Sequence, residues 1–235
     1  RAKSEFLNLI SHQIRTPLNG IIGPLELLKG TVSQSEITDL VDILDISVRR
    51  LEKFAVNALL ITILKTGNFE SGKGRIHFSN LISEVVESMN DKFQSGSIHV
   101  EKHDKTAGYF ISGEAELIKK CISLILDNAV TFSPRDSAIE INTYVENKTI
   151  ICEIKDEGPG FANGTIAKAF ELFATGDPCM DTGIGIGLPI AKMIMDKHGG
   201  SIIIVNNPEG GASVKLLFHN SIVDYTTMDS KIRNL

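Results

Sequence analysis

The chain has 235 residues, a formal net charge of −5 and an apolar content of 42%. This length allows one or two domains, and the composition excludes a disordered, collagen-like or disulfide-scaffold protein. The negative charge argues against a broad nucleic-acid-binding face, so we expect no nucleic-acid partner. Cys121, Cys152 and Cys179 are too scattered for a disulfide framework or a zinc site, which favours a reducing, cytoplasmic setting.

The sequence predicts no membrane contact by this segment. No apolar run approaches the roughly 18 residues that cross a bilayer, and the first residues lack the features of a signal peptide. Arg1-Ala2-Lys3 leads directly into a helical pattern, as expected of a segment excised from a longer protein. A cytoplasmic location is therefore expected, and it is compatible with a membrane-anchored parent protein.

The first 66 residues carry the apolar pattern of two long helices. The first helix repeats apolar residues at heptad spacing: Leu7, Ile14, Leu18, Ile21, Leu25 and Leu28. The second helix repeats the pattern: Ile37, Val41, Leu44, Val48, Leu51, Ala55 and Ala58. A polar connector at residues 30–35 makes this an antiparallel hairpin, in which Pro17 predicts a local kink. A hairpin cannot bury both seams, which predicts a homodimer with a four-helix bundle; the alternative is packing on the rest of its own chain.

From Thr66 onward the pattern alternates between strands and helices. Strands are predicted at residues 76–78, 98–101, 139–145, 149–155, 201–206 and 213–218. Helices are predicted at residues 81–89, 114–132 and 184–198. This order predicts an α/β sandwich, one mixed sheet covered by helices on one face, so that the whole chain is α+β. We expect domains at residues 1–67 and 68–220, and a polar tail or linker at 221–235.

Two motifs in the second segment suit nucleotide binding. Asn128, inside a predicted helix, offers an amide oxygen to Mg²⁺, a cation that prefers oxygen ligands; alone, it is more often an exposed or capping residue. Asp156-Glu157-Gly158-Pro159-Gly160 follows a strand, where a carboxylate can accept a hydrogen bond from the adenine 6-amino group. The glycines permit close backbone approach to the ring, although the same residues also form plain turns.

Two further motifs suit phosphate chemistry. Residues 182–188 place small residues at a helix start, where backbone N–H groups and the helix dipole attract phosphate. The pattern is neither a Walker A nor a Rossmann fingerprint, and the alternative is a flexible glycine-rich loop. His12 lies within Ser11–Gly20, and a neutral imidazole is a good nucleophile near pH 7, although a lone helix histidine is usually a surface residue.

Taken in order, these motifs resemble the catalytic core of two-component sensor histidine kinases. Residues 11–18 resemble the H box, and the stretch around Asn128 resembles the N box. Residues 156–160 and 183–188 resemble the two glycine boxes, and Phe170-Glu171-Leu172-Phe173 resembles the F box. The resemblance extends over residues 3–218.

The resemblance implies a HisKA-type dimerisation and histidine-phosphotransfer hairpin, followed by a HATPase_c domain with the Bergerat-type ATP-binding fold. It implies that His12 takes the γ-phosphate of MgATP and passes it to an aspartate on a response regulator receiver domain. Gln13 flanks this histidine, and Thr16 matches a position that orients a water for dephosphorylation of the partner. The implied ATP-binding residues are Asn128 (also the Mg²⁺ ligand), Asp156, Gly158, Gly160, Phe173, Thr182, Gly183, Gly185, Gly187 and Leu188, with residues 174–181 as the ATP lid.

The chain departs from the family pattern at four positions. Gln13 replaces an acidic residue that acts as a base, and such help is worth roughly 10²–10⁴-fold in rate. Polar or cationic residues are also replaced along the triphosphate path, at Leu124, Thr131 and Thr175. Lys168 and Lys192 are candidates to supply the missing charge. These departures support an alternative, a degenerate kinase that acts as a dimeric docking, phosphatase or heterodimerising scaffold. A different Bergerat-fold ATPase is disfavoured, because such proteins lack a histidine-bearing hairpin before the ATPase domain.

Overall fold

The computed structural model describes residues 2–28, 34–66, 74–162, 164–172 and 185–219, and the side chains of residues 2–13, 34 and 35 lie outside that description. The chain divides into two compact units, residues 1–67 and residues 68–235. Within the described ranges, no helix combines the length and the apolar character that a membrane crossing requires.

The first unit is a helical hairpin, as the sequence predicted. Helix α1 spans Ala2–Leu28 and helix α2 spans Gln34–Thr66. Helix α1 continues through two internal prolines, Pro17 and Pro24, both of which are buried. The helix is continuous at Pro17, which does not test whether it bends there, so the predicted local kink stays a prediction.

The hairpin buries a different face of α2 from the one that the heptad pattern suggested. The buried residues of α2 are Ser47, Phe54, Asn57, Ile61 and Leu64. On α1, Gly20 packs so closely that a Cβ there would lie 2.3 Å from the Ser47 Oγ. A side chain at Gly20 would therefore have to displace the Ser47 hydroxyl.

Predicted seam residues lie instead on the outside of the hairpin. Leu18 and Leu25 are 40% and 46% exposed, and Val41 and Val48 are 49% and 50% exposed. The sequence pattern contains enough apolar residues for two stripes, and the hairpin contact uses only one of them. The second stripe is an apolar surface that the described hairpin leaves exposed.

The second unit contains seven described strands and four described α-helices. They are β1 (Gly74–His77), α3 (Phe78–Ser88), α4 (Asn90–Gly96), β2 (His99–Asp104), β3 (Phe110–Gly113), α5 (Ala115–Phe132), β4 (Ala138–Glu146), β5 (Thr149–Lys155), α6 (Gly187–Lys197), β6 (Ser201–Asn206) and β7 (Ala212–Phe218). A short 3₁₀ turn spans Ile166–Lys168. Five strands form a mixed sheet in the order β2-β4-β5-β7-β6, in which only the β2–β4 pair is parallel.

The α+β fold class is confirmed, but the prediction of a single sheet was wrong. Strands β1 and β3 pair antiparallel in a separate two-stranded sheet. Strand β3 and helix α4 were not predicted, because each is short and β3 finds its partner more than thirty residues away along the chain. Helix α6 begins at Gly187, three residues after its predicted start at 184.

The large sheet carries helices on one face, as predicted. The fully buried side chains alternate along the strands, with Ile139 and Ile141 on β4 and Ile150 and Ile154 on β5 facing the helices. The opposite face mixes charged and uncharged residues, with Glu140, Glu153 and Lys155 beside Asn142, Tyr144 and Ile151. Among them, Lys155 lies 3.3 Å from Glu140 and Lys215 lies 3.4 Å from Glu153.

The end of β2 is tied to its neighbours through Asp104. Its Oδ1 accepts hydrogen bonds from the Thr106 N–H (2.8 Å), the Thr106 Oγ1 (2.7 Å) and the Thr143 Oγ1 (2.7 Å). Its Oδ2 accepts a hydrogen bond from Ser79 on α3. Burial alone would raise the pKa of the carboxyl, but these hydrogen bonds lower the pKa to about 2. The ionised Asp104 therefore fastens α3 to β2 and β4.

Candidate nucleotide-binding site

Asp156 lies directly after β5 and is fixed by backbone groups. Its N–H donates to the Ala212 carbonyl at 2.9 Å, which continues the pairing of β5 with β7. Its Oδ1 accepts from the N–H groups of Gly158 (2.9 Å) and Ala212 (3.1 Å). Burial raises the pKa of this carboxyl, and the two backbone hydrogen bonds oppose the rise. Because both bonds go to Oδ1, Oδ2 keeps its capacity to accept a hydrogen bond from an exocyclic amine.

The loop after Asp156 packs so closely against α5 that position 158 has room only for glycine. A Cβ on Gly158 would lie 2.8 Å from the Phe132 carbonyl oxygen, at the end of α5, and 3.0 Å from the Asp156 Oδ1. From the other side, a Cβ on Gly211 would lie 1.9 Å from the Asp156 carbonyl oxygen. The loop is therefore held tightly between the end of α5 and the turn that joins β6 to β7.

Helix α5 presents Asn128 on the side that faces the start of α6. Asn128 is half-buried. Leu124, one turn earlier on the same face, is buried, and its Cδ2 is 3.8 Å from the point where a Gly187 Cβ would lie. The predicted N box and second glycine box thus come together, with the Asn128 amide oxygen as an available ligand for a hard cation.

Helix α6 begins without a side-chain cap. Its N-cap residue is Ile186, its first turn contains no acidic residue, and its first intrahelical bond runs from the Ile190 N–H to the Ile186 carbonyl at 3.1 Å. Gly185 precedes it with a φ of +66°, a conformation that favours glycine. The N–H groups of Gly187 and Leu188 therefore lie at a positive helix end that suits phosphate.

The polar side chains around this site are partly committed to other contacts. The Thr131 Oγ1 donates to the Asp127 carbonyl at 2.6 Å, and Lys92 on α4 pairs with the Asp127 carboxylate. Lys192 pairs with Asp196 one turn further along α6, in an exposed ion pair. Lys168 lies exposed in the 3₁₀ turn. The backbone of α6 is therefore the clearest phosphate-binding element among the described residues.

Both units match known protein families. Residues 2–61 match the His Kinase A (phospho-acceptor) domain, and residues 113–222 match the histidine kinase-, DNA gyrase B- and HSP90-like ATPase. Over 225 residues the chain is 33% identical to the sensor protein KdpD of Clostridium acetobutylicum. This alignment covers 92% of this chain and 24% of KdpD. This chain belongs to the sensor histidine kinase family. It spans only about a quarter of the length of that relative.

Solved histidine kinase structures share the fold. Histidine kinase ThkA, solved in complex with response regulator protein TrrA, superimposes with a TM-score of 0.73 at 20% identity, over 91% of this chain and 60% of that chain. Full-length ShkA, solved with AMPPNP, gives a TM-score of 0.68 at 20% identity, over 94% of this chain and 46% of that chain. The family assignment and the fold class predicted from the sequence are confirmed, and nothing in the comparisons favours the degenerate alternative.

Several histidine kinase motif residues lie outside the described residues. They are Phe173, Thr182, Gly183, Thr175 and the predicted lid at residues 174–181. His12 and Gln13 lie within α1, but their side chains are also outside the description. Thr16 is described and exposed, one helical turn after residue 12. The assigned roles of these residues stay predictions.

The sequence reading missed the contribution of the β6–β7 turn to the histidine kinase ATPase unit. Ala212 donates a backbone hydrogen bond to Asp156, and Gly211 makes room for the Asp156 carbonyl. Every residue except proline has a backbone N–H, so the residue type at position 212 does not indicate this hydrogen bond. The available signal is Pro208-Glu209-Gly210-Gly211, a turn motif between the predicted strands 201–206 and 213–218.

Proposed function

We propose that this chain is an ATP-dependent protein-histidine kinase core that autophosphorylates His12 from MgATP and passes the phosphoryl group to an aspartate of a response regulator receiver domain. In the first step the bond from the γ-phosphorus to the β-phosphate oxygen breaks, a P–N bond forms with the imidazole, the imidazole N–H proton passes to water, and ADP leaves. The observation that carries the proposal is the convergence of Asp156, Asn128 and the uncapped start of α6 around the end of α5.

Each group at this site fits one part of a nucleotide. The Asp156 Oδ2 would accept from the adenine 6-amino group. Gly158 and Gly160, whose missing side chains let the loop pack against the protein, belong to the same site. The N–H groups of Gly187 and Leu188 would bind phosphate oxygens. Asn128 would supply an oxygen to Mg²⁺, which neutralises phosphate charge when it is bound. We assign Phe173, Thr182, Gly183 and Gly185 to the same site from the family motifs.

The hairpin would supply the acceptor and the residues that act beside it. Gln13 follows His12 directly, and an amide can orient the imidazole but cannot take its proton. We therefore expect slow autophosphorylation in this chain. Thr16 is exposed on the same helix, which suits a role in orienting water for dephosphorylation of a docked partner.

The exposed apolar stripe of the hairpin supports a homodimer. Leu18, Leu25, Val41 and Val48 are each at least 40% exposed, and they recur at heptad spacing. Packing two hairpins into a four-helix bundle would bury this stripe. We accordingly assign residues 1–67 to dimerisation and phosphotransfer, residues 68–220 to ATP binding, and residues 221–235 to a tail or linker. The proposed partner is a response regulator, as in the complex of ThkA with TrrA.

The decisive experiment is phosphorylation with γ-labelled MgATP. We expect a protein-bound label that is stable in alkali and lost in acid, as a phosphohistidine is, and that transfers to a receiver domain. His12→Gln is the test variant and His103→Gln, an exposed histidine on β2, is its matched control. Equal labelling of both variants would refute His12 as the acceptor. Gln13→Glu should raise the labelling rate, and an unchanged or lower rate would count against the missing-base explanation.

A further inference from the structure

One side chain from the β6–β7 turn holds the loop that follows β5. Asn206, the last residue of β6, accepts a hydrogen bond from the Phe161 N–H through Oδ1 at 2.8 Å. Its Nδ2 donates to the Phe161 carbonyl oxygen at 2.7 Å. The amide thus satisfies both backbone groups of a single residue, as a neighbouring strand would do.

The backbone next to this contact can only be glycine. Gly160 has a φ of +72°, and a Cβ there would lie 2.9 Å from the Asn206 Oδ1 and 3.1 Å from the Gly211 carbonyl oxygen. The loop therefore reaches the Asn206 amide because Gly160 turns it inward without a side chain. Gly160 belongs to the first glycine box, so the contact acts directly on the candidate nucleotide site.

The turn that carries Asn206 is itself well ordered by hydrogen bonds. The Asn207 N–H donates to the Gly211 carbonyl at 3.0 Å, and the Gly210 N–H donates to the Asn207 carbonyl at 3.1 Å. Directly after this turn, the Ala212 N–H binds the Asp156 Oδ1. The same turn thus anchors the loop at its beginning, through Asp156, and at its end, through Asn206.

We propose that Asn206 is a positioning residue for nucleotide binding, which holds residues 156–161 in the conformation that receives the base. This inference rests on the function proposed above. Without the amide, Phe161 loses both partners, and the loop must then be ordered by the nucleotide at the expense of binding free energy. Asn206 does not lie among the groups assigned to the phosphates, so its loss should weaken nucleotide binding and leave the transfer step at saturating ATP unchanged.

The test compares Asn206→Ala with Asn207→Ala in the full chain. Asn207 contributes only backbone hydrogen bonds to the turn, so its variant controls for an altered side chain at this place. The dissociation constant for ADP is measured by calorimetry, and the KM for ATP and kcat are measured by histidine phosphorylation. Loss of two hydrogen bonds at roughly 0.5–1.5 kcal/mol each predicts about tenfold weaker ADP binding and a similarly raised KM in Asn206→Ala. Asn206→Asp keeps the acceptor but loses the donor, and we expect an intermediate effect.

Three outcomes are distinguishable. Weaker nucleotide binding in Asn206→Ala with unchanged kcat, a wild-type Asn207→Ala, and faster hydrogen exchange at the Phe161 amide would support the inference. Wild-type affinity in Asn206→Ala, or a lowered kcat at unchanged KM together with a lowered melting temperature, would overturn it, because the latter pattern reports lost folded protein. Absence of ADP binding by the unmodified chain would instead overturn the proposed function, and this inference with it.

Discussion

Replacing Asp156 by Asn should change which base the site accepts. In the structure, Oδ1 accepts from the N–H groups of Gly158 and Ala212. The Asn oxygen can take over both bonds, so the loop should keep its conformation. The amide nitrogen then occupies the position of Oδ2 and presents donors where the carboxylate presented an acceptor. An adenine 6-amino group meets a donor there, whereas the guanine 6-oxygen meets a suitable partner.

The size of the effect follows from the environment of the Asp156 carboxylate. This side chain is only 9% exposed, so its hydrogen bond to a base amine is little weakened by water. A hydrogen bond to a charged group contributes about 1.5–3 kcal/mol, which corresponds to a loss of ADP affinity of roughly 10- to 100-fold. Burial also raises the pKa of the carboxyl, so ADP affinity of the unmodified chain should fall as the pH is lowered and the acceptor is protonated.

Calorimetric titration of ADP and GDP measures the change directly. Asp156→Asn should lose ADP affinity and raise the ratio of GDP to ADP affinity, and its ADP binding should lose the pH dependence. Glu157→Gln is the matched control, because it removes an equal charge from the exposed neighbouring residue. Unchanged ADP affinity in Asp156→Asn, or an equal loss in Glu157→Gln, would refute the assignment of Asp156 to the base.

Three further predictions concern stability and thiol chemistry. Folding lowers the pKa of Asp104 to about 2, so the stabilisation of the fold by this carboxylate is fully present above the unfolded pKa near 4 and is lost as the pH falls towards 2. Asp104→Asn should lower the free energy of unfolding by ~1 kcal/mol at pH 7, after allowance for solvent screening. Equal urea midpoints for the variant and the unmodified chain at pH 7 would contradict this. Gly211→Ala should lower the melting temperature strongly, because its Cβ would lie 1.9 Å from the Asp156 carbonyl oxygen. A wild-type melting curve would show instead that the turn rearranges without loss of stability. Burial raises the pKa of the Cys121 and Cys152 thiols, so mass spectrometry should find both unalkylated by iodoacetamide until the chain is unfolded; rapid native labelling would disprove their burial.

The sequence predicted the elements of the second unit where periodicity was strong. Residues 139–145 and 149–155 were assigned to strands, and β4 and β5 cover both ranges with a tight connection at Asn147 and Lys148. The separate β1–β3 sheet was not predictable in the same way, because a four-residue strand has almost no period and its partner is set by tertiary folding.

The hairpin shows the limit of heptad reading. The pattern identified both helices and placed Leu18 and Val48 in a seam that a dimer is expected to bury. In the single hairpin they are exposed, and Phe54 and Ile61 are buried. Spacing reports that a helix has an apolar stripe, but it does not say which of two stripes contacts the neighbouring helix of the same chain. That choice depends on close approach, here allowed by Gly20 against Ser47.

The structure shows the contacts of Leu124 and Thr131, two positions at which the chain departs from the histidine kinase pattern. Leu124 is buried with its side chain directed at Gly187, so at this position apolar packing between α5 and α6 replaces a polar group. The Thr131 hydroxyl donates a hydrogen bond to the Asp127 carbonyl within the helix. Among the described residues, the backbone at the start of α6 can bind phosphate here, because no side chain caps its N-terminus. Because phosphoryl transfer depends on electrostatic positioning, binding that relies on backbone donors and Mg²⁺ should hold nucleotide while giving a slower transfer than a site with an additional cation.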